Sequence, residues 1–198
     1  MIYTTAEHDA LREQVARFLE REVEPHGLGW EEQGYTPKEV LRKMGKLGWL
    51  GMTYPSEFGG AETDFLTSVV FQEALSMSTF GGFIVTVLVH TDMASPHLIH
   101  AGSPEQIKTY LPGAISGDLI TAVGISEPDA GSDVAGIRTN ARRDGGDWVL
   151  NGSKMYITNG VNADLYFIAA KTDPDAKGSR GISMFIVEKG TPGFSVGR

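Results

Sequence analysis

The strongest constraint on the fold is a change of hydrophobic period at Gly117-Asp118. Before this point apolar residues recur every three or four positions, which is the spacing of amphipathic helices. After it they come in short runs separated by glycine-rich turns, which is typical of strands. The sequence therefore predicts an α+β multidomain protein. Its all-α N-terminal bundle covers residues 1–117, and a small β-barrel domain, expected to be incomplete, covers residues 118–198.

The first domain contains five predicted helices. Thr4 and Glu7 are expected to form a capping box at the start of the first helix, and Pro112 is expected to end the last. The segment at residues 82–94 is apolar on nearly all sides, which favours a place in the middle of the bundle. Its most apolar window, residues 83–89, is too short to span a bilayer. The predicted helices cover residues 6–24, 36–48, 64–78, 82–94 and 103–112.

The second domain is predicted to be built from short strands. Asp144-Gly145-Gly146-Asp147 lies between two such strands and indicates a hairpin. Several short strands at even spacing favour a β-barrel or a sandwich. The predicted strands cover residues 119–126, 138–143, 148–151, 154–158, 165–171 and 182–187.

One run, residues 124–136 (GISEPDAGSDVAG), follows the first of these strands and breaks it. Pro128 fixes its own φ and lacks an amide donor, whereas Gly131 allows backbone angles that a side chain would block. Ser126 and Ser132 add hydroxyls. Such a loop can approach a phosphate or the edge of a flat polar ring closely. A surface turn is the simpler alternative for a generic loop of this kind.

Composition excludes several classes of protein. The chain has 198 residues, 41% of them hydrophobic and 21% charged, as in ordinary globular proteins. Its net charge is 17 − 25 = −8, which disfavours nucleic acid and anionic membranes as partners. The absence of cysteine excludes disulfides, a thiolate nucleophile and Cys-ligated metals. The N-terminus lacks the pattern of a signal peptide, so a cytoplasmic protein is expected.

Other candidate residues carry less weight. His97 and His100 have H-x-x-H spacing, but no third ligand pattern lies nearby, so surface or capping roles are favoured over a metal site. His90, in its apolar helix, is expected to be a satisfied core or pocket-rim residue. Glu127 could be a base, although a hydrogen bond within its loop is the favoured interpretation. The sequence contains no G-x-G-x-x-G, P-loop or H-E-x-x-H motif.

Two segments resemble the acyl-CoA dehydrogenase family. Residues 126–133, SEPDAGSD, are similar to its long signature, and residues 151–160, NGSKMYITNG, are similar to its next flavin-contacting strand. The resemblance covers the whole chain, helical bundle first and β-domain second. Family members continue with a second helical bundle that carries the catalytic glutamate. The resemblance therefore implies roughly the first half of such an enzyme, with no catalytic base before Arg198, and a fragment that is inactive alone.

The resemblance also implies a set of FAD-binding residues in these segments. Ser126 would place its hydroxyl near the reactive flavin nitrogen, and Ser132 would serve both the flavin and the thioester end of the substrate. Tyr156 stands where many members have tryptophan, and Asp129 replaces a more usual glycine. The implied cofactor-binding residues are Val123, Gly124, Ile125, Ser126, Gly131, Ser132, Tyr156, Ile157 and Thr158.

The implied activity is flavin-dependent α,β-dehydrogenation of an acyl-CoA thioester, within fatty acid and lipid metabolism. The implied partners are an acyl-CoA substrate, an electron-transfer flavoprotein as acceptor, and further copies of the chain in a homotetramer or dimer. Two alternatives stay open. One is an acyl-CoA oxidase, nitroalkane oxidase or flavin monooxygenase of the same fold, and the other is a non-catalytic binding module.

Overall fold

The computed structural model describes residues 4–197. The chain divides into two compact units between Ile120 and Thr121, and each unit has its own core. The first unit is helical and the second is built on a β-sheet. The predicted fold class, a helical domain followed by a β-domain, is confirmed.

From residue 4 onward, the helical unit contains seven α-helices, two of which continue as π-helical turns. Helix α1 runs on through Leu19–Val23 and α5 through Val89–Ala94. Short 3-10 turns at Trp49–Gly51 and Ser56–Phe58 connect α3 to α4. The helices are α1 Ala6–Phe18, α2 Gly27–Gln33, α3 Lys38–Lys46, α4 Phe65–Leu75, α5 Gly81–Leu88, α6 Pro96–Ala101 and α7 Pro104–Ser116.

The helical core is the stripe that the 3.6-residue period predicts. In α1 and its continuation, Val15 and Val23 are fully buried. The rest of the core comes from the inner faces of the other helices, where side chains of complementary size meet. Its fully buried members are Leu41, Met44, Leu50, Phe71, Leu75, Phe83, Val87, Leu98 and Leu111.

Three predicted details of the helical unit are wrong. The capping box at α1 is formed by Thr5 and His8, because the Thr5 amide donates to His8 Nδ1 at 3.0 Å while Thr5 Oγ1 accepts from the His8 amide. The short helices α2 and α6 were not predicted. Pro112 lies inside α7, which ends instead at Gly117, where a left-handed φ of +79° closes the helix.

A continuous helical stretch, Gly81–Ala101, is long and apolar enough to cross a membrane by length and composition alone. It extends well beyond the predicted window at residues 83–89. Less than half of its most apolar window, 44%, is buried. Phe83, Val87 and Leu98 nevertheless belong to the core of the helical unit. Core helices of this kind pass the same test, so the stretch is weak evidence for a membrane span.

Up to residue 197, the second unit contains five strands in one mixed sheet. Strand β1 pairs with β4 in parallel, and β4 pairs with β5 in an antiparallel ladder. Strands β2 and β3 form the predicted hairpin, and β2 meets the end of β4 through Asn140 and Lys171. Among the described residues these ladders give the order β1-β4-β2-β3, with β5 beside β4. The strands are β1 Thr121–Gly124, β2 Asn140–Asp144, β3 Asp147–Asn151, β4 Leu165–Lys171 and β5 Ile182–Glu188.

Strand β4 is the centre of this unit. Six consecutive residues at positions 165–170 are buried, as expected for a strand covered on both faces. Its parallel register brings Val123 opposite Phe167 and Gly124 opposite Ile168. Strand β1 is thereby fixed at the point where the loop at residues 124–136 begins.

Candidate functional site

The loop at residues 125–137 is a compact turn anchored to the sheet. The Glu127 amide donates to the Ala130 carbonyl at 2.8 Å, and the Ala130 amide returns a bond to the Glu127 carbonyl at 3.2 Å. The Ala130 side chain packs with Ile137 and Ala169 in a small buried cluster. This closed turn holds its two ends in place, while Gly131 and Ser132 beyond it stay exposed to solvent.

The second candidate segment lies beside β1 and is not a strand. The prediction of a strand at residues 154–158 is wrong, because Tyr156 has a left-handed φ of +57° and Asn159 one of +64°. Such backbone angles interrupt the alternation that a ladder requires. The segment is instead a series of turns that ends at Ala163, whose amide donates to the Asn159 carbonyl at 2.8 Å.

A main-chain hydrogen bond joins the two segments, and the Asn159 side chain ties the second segment to β1. The Met155 amide donates to the Ser126 carbonyl at 2.9 Å. At the start of β1, the Thr121 carbonyl accepts a hydrogen bond from Asn159 Nδ2 at 3.1 Å. Ser126 accepts the first of these bonds, and Tyr156 directly follows its donor Met155. The two residues therefore lie on neighbouring stretches of chain. If Ser126 and Tyr156 lay on opposite faces of the sheet unit, they could not contact the same ligand.

The implied site residues differ in their exposure. Gly124 is buried, and Val123, Ile125, Ser126, Ile157 and Thr158 are half-buried, whereas Gly131, Ser132 and Tyr156 are exposed. Tyr156 is 90% exposed, so it is not a half-buried residue of a strand. All nine residues belong to the sheet unit. Their contacts with a cofactor stay a prediction.

A buried ion pair lies beneath the junction of the two segments. Lys154 Nζ is 2.7 Å from Glu127 Oε1, and it also donates to the Ile125 carbonyl at 3.0 Å. The amides of Arg138 and Thr139 donate to Glu127 Oε2 and Oε1 at 2.5 and 3.0 Å. The favoured interpretation of Glu127, a hydrogen-bonding role within the loop, is confirmed. Lys154 was missed, although it is the lone cation within residues 151–160.

The electrostatics of this pair follow from burial and hydrogen bonding. Burial alone would raise the pKa of Glu127, but donation from the Arg138 and Thr139 amides and from Lys154 outweighs it and lowers the pKa to about 2. Burial lowers the pKa of Lys154, and the carboxylate beside it offsets part of that effect. Glu127 is thus held as a carboxylate and is a poor proton acceptor.

The exposed side of the loop carries a second, weaker ion pair. Arg138 Nη1 lies 2.8 Å from Asp129 Oδ2, and both side chains are mostly exposed. Exposed pairs of this kind contribute between zero and about 1 kcal/mol. Asp129 therefore adds a small restraint to the turn that a glycine at this position would lack.

The histidines lie in the helical unit and have structural partners. His90 is fully buried and its Nε2 donates to the Ala114 carbonyl at 2.9 Å, as expected for a satisfied core histidine. His97 Nδ1 lies 3.1 Å from the Ala94 carbonyl, and His100 is exposed. Within residues 4–197, no group of three or more His, Asp or Glu side chains is placed to hold a metal ion.

A polar cluster in the helical unit also has a structural explanation. The Tyr54 hydroxyl donates to the Thr91 carbonyl at 2.8 Å, and Gln72 Nε2 donates to Asp92 Oδ1 at 2.8 Å. Burial raises the pKa of both Tyr54 and Asp92. These groups satisfy one another where a shallow cavity opens between α4 and the turn at Trp49–Gly51.

Known sequences and structures resemble the chain over nearly its whole length. The sequence profile described as "Acyl-CoA dehydrogenase, N-terminal domain" matches residues 5–118, and the one described as "Acyl-CoA dehydrogenase, middle domain" matches residues 122–198. The mitochondrial long-chain specific acyl-CoA dehydrogenase of Mus musculus is 42% identical over 197 residues, which are 98% of this chain and 45% of that protein.

Two solved structures have the same fold. The acyl-CoA dehydrogenase from Geobacillus kaustophilus superposes with a TM-score of 0.93 at 43% identity, over 99% of this chain and 51% of that one. A glutaryl-CoA dehydrogenase from Mycobacterium smegmatis, in complex with FADH2, gives a TM-score of 0.88 at 36% identity, over 97% and 48%. The chain thus spans about half the length of the proteins it matches. Since both domain profiles match in order and these relatives align over nearly the whole chain, it belongs to the acyl-CoA dehydrogenase family.

Proposed function

We propose that the gene product containing these 198 residues is an FAD-dependent dehydrogenase that introduces an α,β double bond into acyl-CoA thioesters. The observation that carries this proposal is the hydrogen bond from the Met155 amide to the Ser126 carbonyl, which places the two flavin-type segments side by side. The names of the relatives support it, and the Mycobacterium smegmatis structure, at 36% identity, contains FADH2.

The exposed groups of the site suit a flat polar ring. A flavin needs hydrogen-bond partners along one edge of its ring and apolar surface against a face. Ser126, Ser132 and Thr158 offer hydroxyls, and Tyr156 offers an aromatic ring that is 90% exposed. At Gly131 an added Cβ would meet nothing within 4 Å, so the backbone there is open to close approach. The residues present fit the cofactor.

Each residue then has a distinct task. FAD, when bound, supplies the acceptor for the hydride that leaves the β-carbon of the substrate. The Ser126 hydroxyl donates to the ring edge where negative charge grows on reduction. Ser132 binds the ring and the thioester end of the substrate, while Tyr156 and Ile157 pack against the ring. Val123, Gly124 and Ile125 present their backbone at the start of the loop.

Glu127 is not the base that removes the α-proton in this proposal. Both of its oxygens accept hydrogen bonds within the protein, and its pKa of about 2 makes it a weak base near neutral pH. An effective general base has a pKa closer to the working pH.

The partners of the intact protein follow from the same proposal. Its substrate is an acyl-CoA, its electron acceptor is an electron-transfer flavoprotein, and its functional form is a homo-oligomer of two or four chains. Sedimentation of the purified gene product tests the assembly, and reduction of an electron-transfer flavoprotein by the substrate-reduced enzyme tests the acceptor.

Anaerobic titration of the purified gene product tests the activity. We expect a yellow protein whose visible absorbance bleaches on addition of an acyl-CoA and is unchanged by free coenzyme A. A colourless protein that ignores acyl-CoA would refute the proposal and favour a binding module. Rapid reoxidation of the bleached protein by oxygen would instead indicate an oxidase or monooxygenase of the same fold.

A further inference from the structure

The Glu127–Lys154 pair is built where three parts of the chain meet. The Lys154 ammonium contacts the loop at Ile125 and Glu127, while the Glu127 carboxylate accepts from the amides of Arg138 and Thr139. The pair therefore links residues 125–127, 138–139 and 154–155. The two side chains are only 8% and 5% exposed.

A buried ion pair is weak evidence for stability. Removing two charges from water costs several kcal/mol per ion, and well-packed apolar residues are often as stable or more stable in their place. What the pair adds is a fixed geometry, because Glu127 has donors on both oxygens and Lys154 has two acceptors at defined angles. The Ser126 carbonyl, between Ile125 and Glu127, is held opposite the Met155 amide as a result.

The pair also controls charge next to Ser126. Together the two side chains contribute no net charge, although the carboxylate belongs to the residue after Ser126 and the ammonium contacts the carbonyl of the residue before it. In a buried setting a single uncompensated charge acts strongly on its neighbours, since screening by water is weak. Neutrality at this point is therefore a property that either single substitution would remove.

We propose that Glu127 and Lys154 are a positioning pair that locks the two flavin-contacting segments together and keeps the charge beside Ser126 balanced. The pair touches neither substrate nor cofactor and acts through the backbone of Ser126 and Met155. Its effect on the flavin rests on the proposed function. Its effect on the junction of the two segments does not.

The charge balance predicts shifts of opposite sign in the flavin reduction potential. A reduced flavin carries more negative charge than an oxidised one. Glu127→Gln leaves the Lys154 ammonium unpaired and should raise the potential, whereas Lys154→Met leaves the carboxylate unpaired and should lower it. We expect each change to alter the reduction equilibrium about tenfold, which is about 30 mV for a two-electron couple. The potentials are measured at about pH 6, because burial lowers the pKa of Lys154 and Glu127→Gln removes the carboxylate that offsets part of this effect.

The double variant Glu127→Gln/Lys154→Met separates charge from structure. It removes both charges, so its potential should return close to the wild-type value. Glu73→Gln, which removes one charge from the exposed Arg12–Glu73 pair of the helical unit, should leave the potential unchanged. Shifts of the same sign in the two single variants, or no shift in either, would overturn the proposed balance.

Amide hydrogen exchange in the flavin-free gene product tests the junction itself. Lys154→Met should speed exchange of the Met155 amide about tenfold or more, while amides of the β4–β5 ladder keep their protection. Unchanged protection at Met155 would overturn the positioning role. A wild-type protein that binds no flavin would refute the proposed function. The exchange result would still test whether the Glu127–Lys154 pair holds the two segments together.

Discussion

At the scale of single residues, the Ser126 hydroxyl carries the most chemistry in the proposed site. Ser126→Ala in the intact gene product should slow flavin reduction by acyl-CoA, because a donor to the growing negative charge is lost. A hydrogen bond of this kind is worth about 1–3 kcal/mol when it is buried. Stopped-flow reduction kinetics measure the effect, with the exposed Ser179→Ala as a matched control. Identical kinetics in the two variants would show that Ser126 is misplaced in our proposal.

The depressed pKa of Glu127 makes a second residue-scale prediction. Its pKa is about 2 in the folded protein and near 4.5 when unfolded, so the unfolded state binds more protons as the pH falls. The stability that Glu127 contributes is present above about pH 4.5 and is lost as the pH falls from there to about 2.

Urea unfolding at a series of pH values measures this contribution. As the pH falls from about 5 to about 3, the urea concentration at half-unfolding should drop more steeply for the wild type than for Glu127→Gln. Glutamine has no proton to bind in this range. Other carboxylates titrate in both proteins, so the difference between the two curves isolates Glu127. Parallel curves would contradict the low pKa.

Sequence reasoning identified Glu127 as a hydrogen-bonding residue but missed its partner. The reason is physical: a single lysine in a polar segment is usually a solvated surface charge, and only the tertiary fold reveals that Lys154 is buried. The available signal in the sequence was that Glu127 and Lys154 carry opposite charges in the two matched segments. Chemistry that depends on a long-range contact is not encoded by local spacing.

At the scale of elements, close packing of α3 on α7 depends on Gly45. A Cβ at Gly45 would lie 2.3 Å from the Ser116 carbonyl oxygen, which is backbone and cannot rotate away. Gly45→Ala should therefore destabilise the protein by about 1–3 kcal/mol, the usual cost of overpacking. Gly82→Ala is the matched control, since a Cβ there meets nothing within 4 Å. It should gain up to about 1 kcal/mol from helix propensity.

Urea unfolding followed by far-UV circular dichroism measures both variants. The two substitutions add the same methyl group to a helical glycine, so their difference reports the contact with the α7 backbone at Ile115 and Ser116. Equal stability of the two variants would mean that α3 and α7 can separate without cost.

The turn at Tyr156 offers a test of backbone conformation. Its φ of +57° is tolerated by asparagine but is costly for a β-branched residue. Because the side chain is 90% exposed, its removal costs little packing. Tyr156→Asn should keep the stability of the flavin-free protein, whereas Tyr156→Val should lose about 1–2 kcal/mol. Thermal unfolding compares them, and equal losses would argue against a left-handed backbone here.

Element boundaries show where periodicity succeeds and where it fails. Strand β4, at residues 165–171, was predicted with its exact bounds because a continuous apolar run flanked by polar residues has one simple interpretation. Residues 156–158 are of types that favour strands, yet the bonds from Met155 to Ser126 and from Asn159 to Thr121 hold this segment in turns. Pro112 failed as a stop signal because α7 continues through it to Gly117.

At the scale of the whole molecule, the two units have different roles in the proposal. The helical unit is a packed bundle whose buried polar groups satisfy one another, and the sheet unit presents two exposed segments at the end of β1. The residues proposed for flavin binding all belong to the sheet unit. The order of the two units could be predicted from sequence because it needs only a change of local period.

The 198-residue chain alone should bind FAD at least about 100-fold more weakly than the intact gene product and should not turn over acyl-CoA. Association costs several kcal/mol of lost translational and rotational freedom, about 4 or more. Here Ser132, Gly131 and Tyr156 are open to solvent, so a ring against them gains contacts on one side only. The matched relatives are about twice as long and have more chain available for the other side. Equilibrium dialysis with FAD compares the two samples, and tight stoichiometric binding by the 198-residue chain would show that these two segments suffice as a cofactor site.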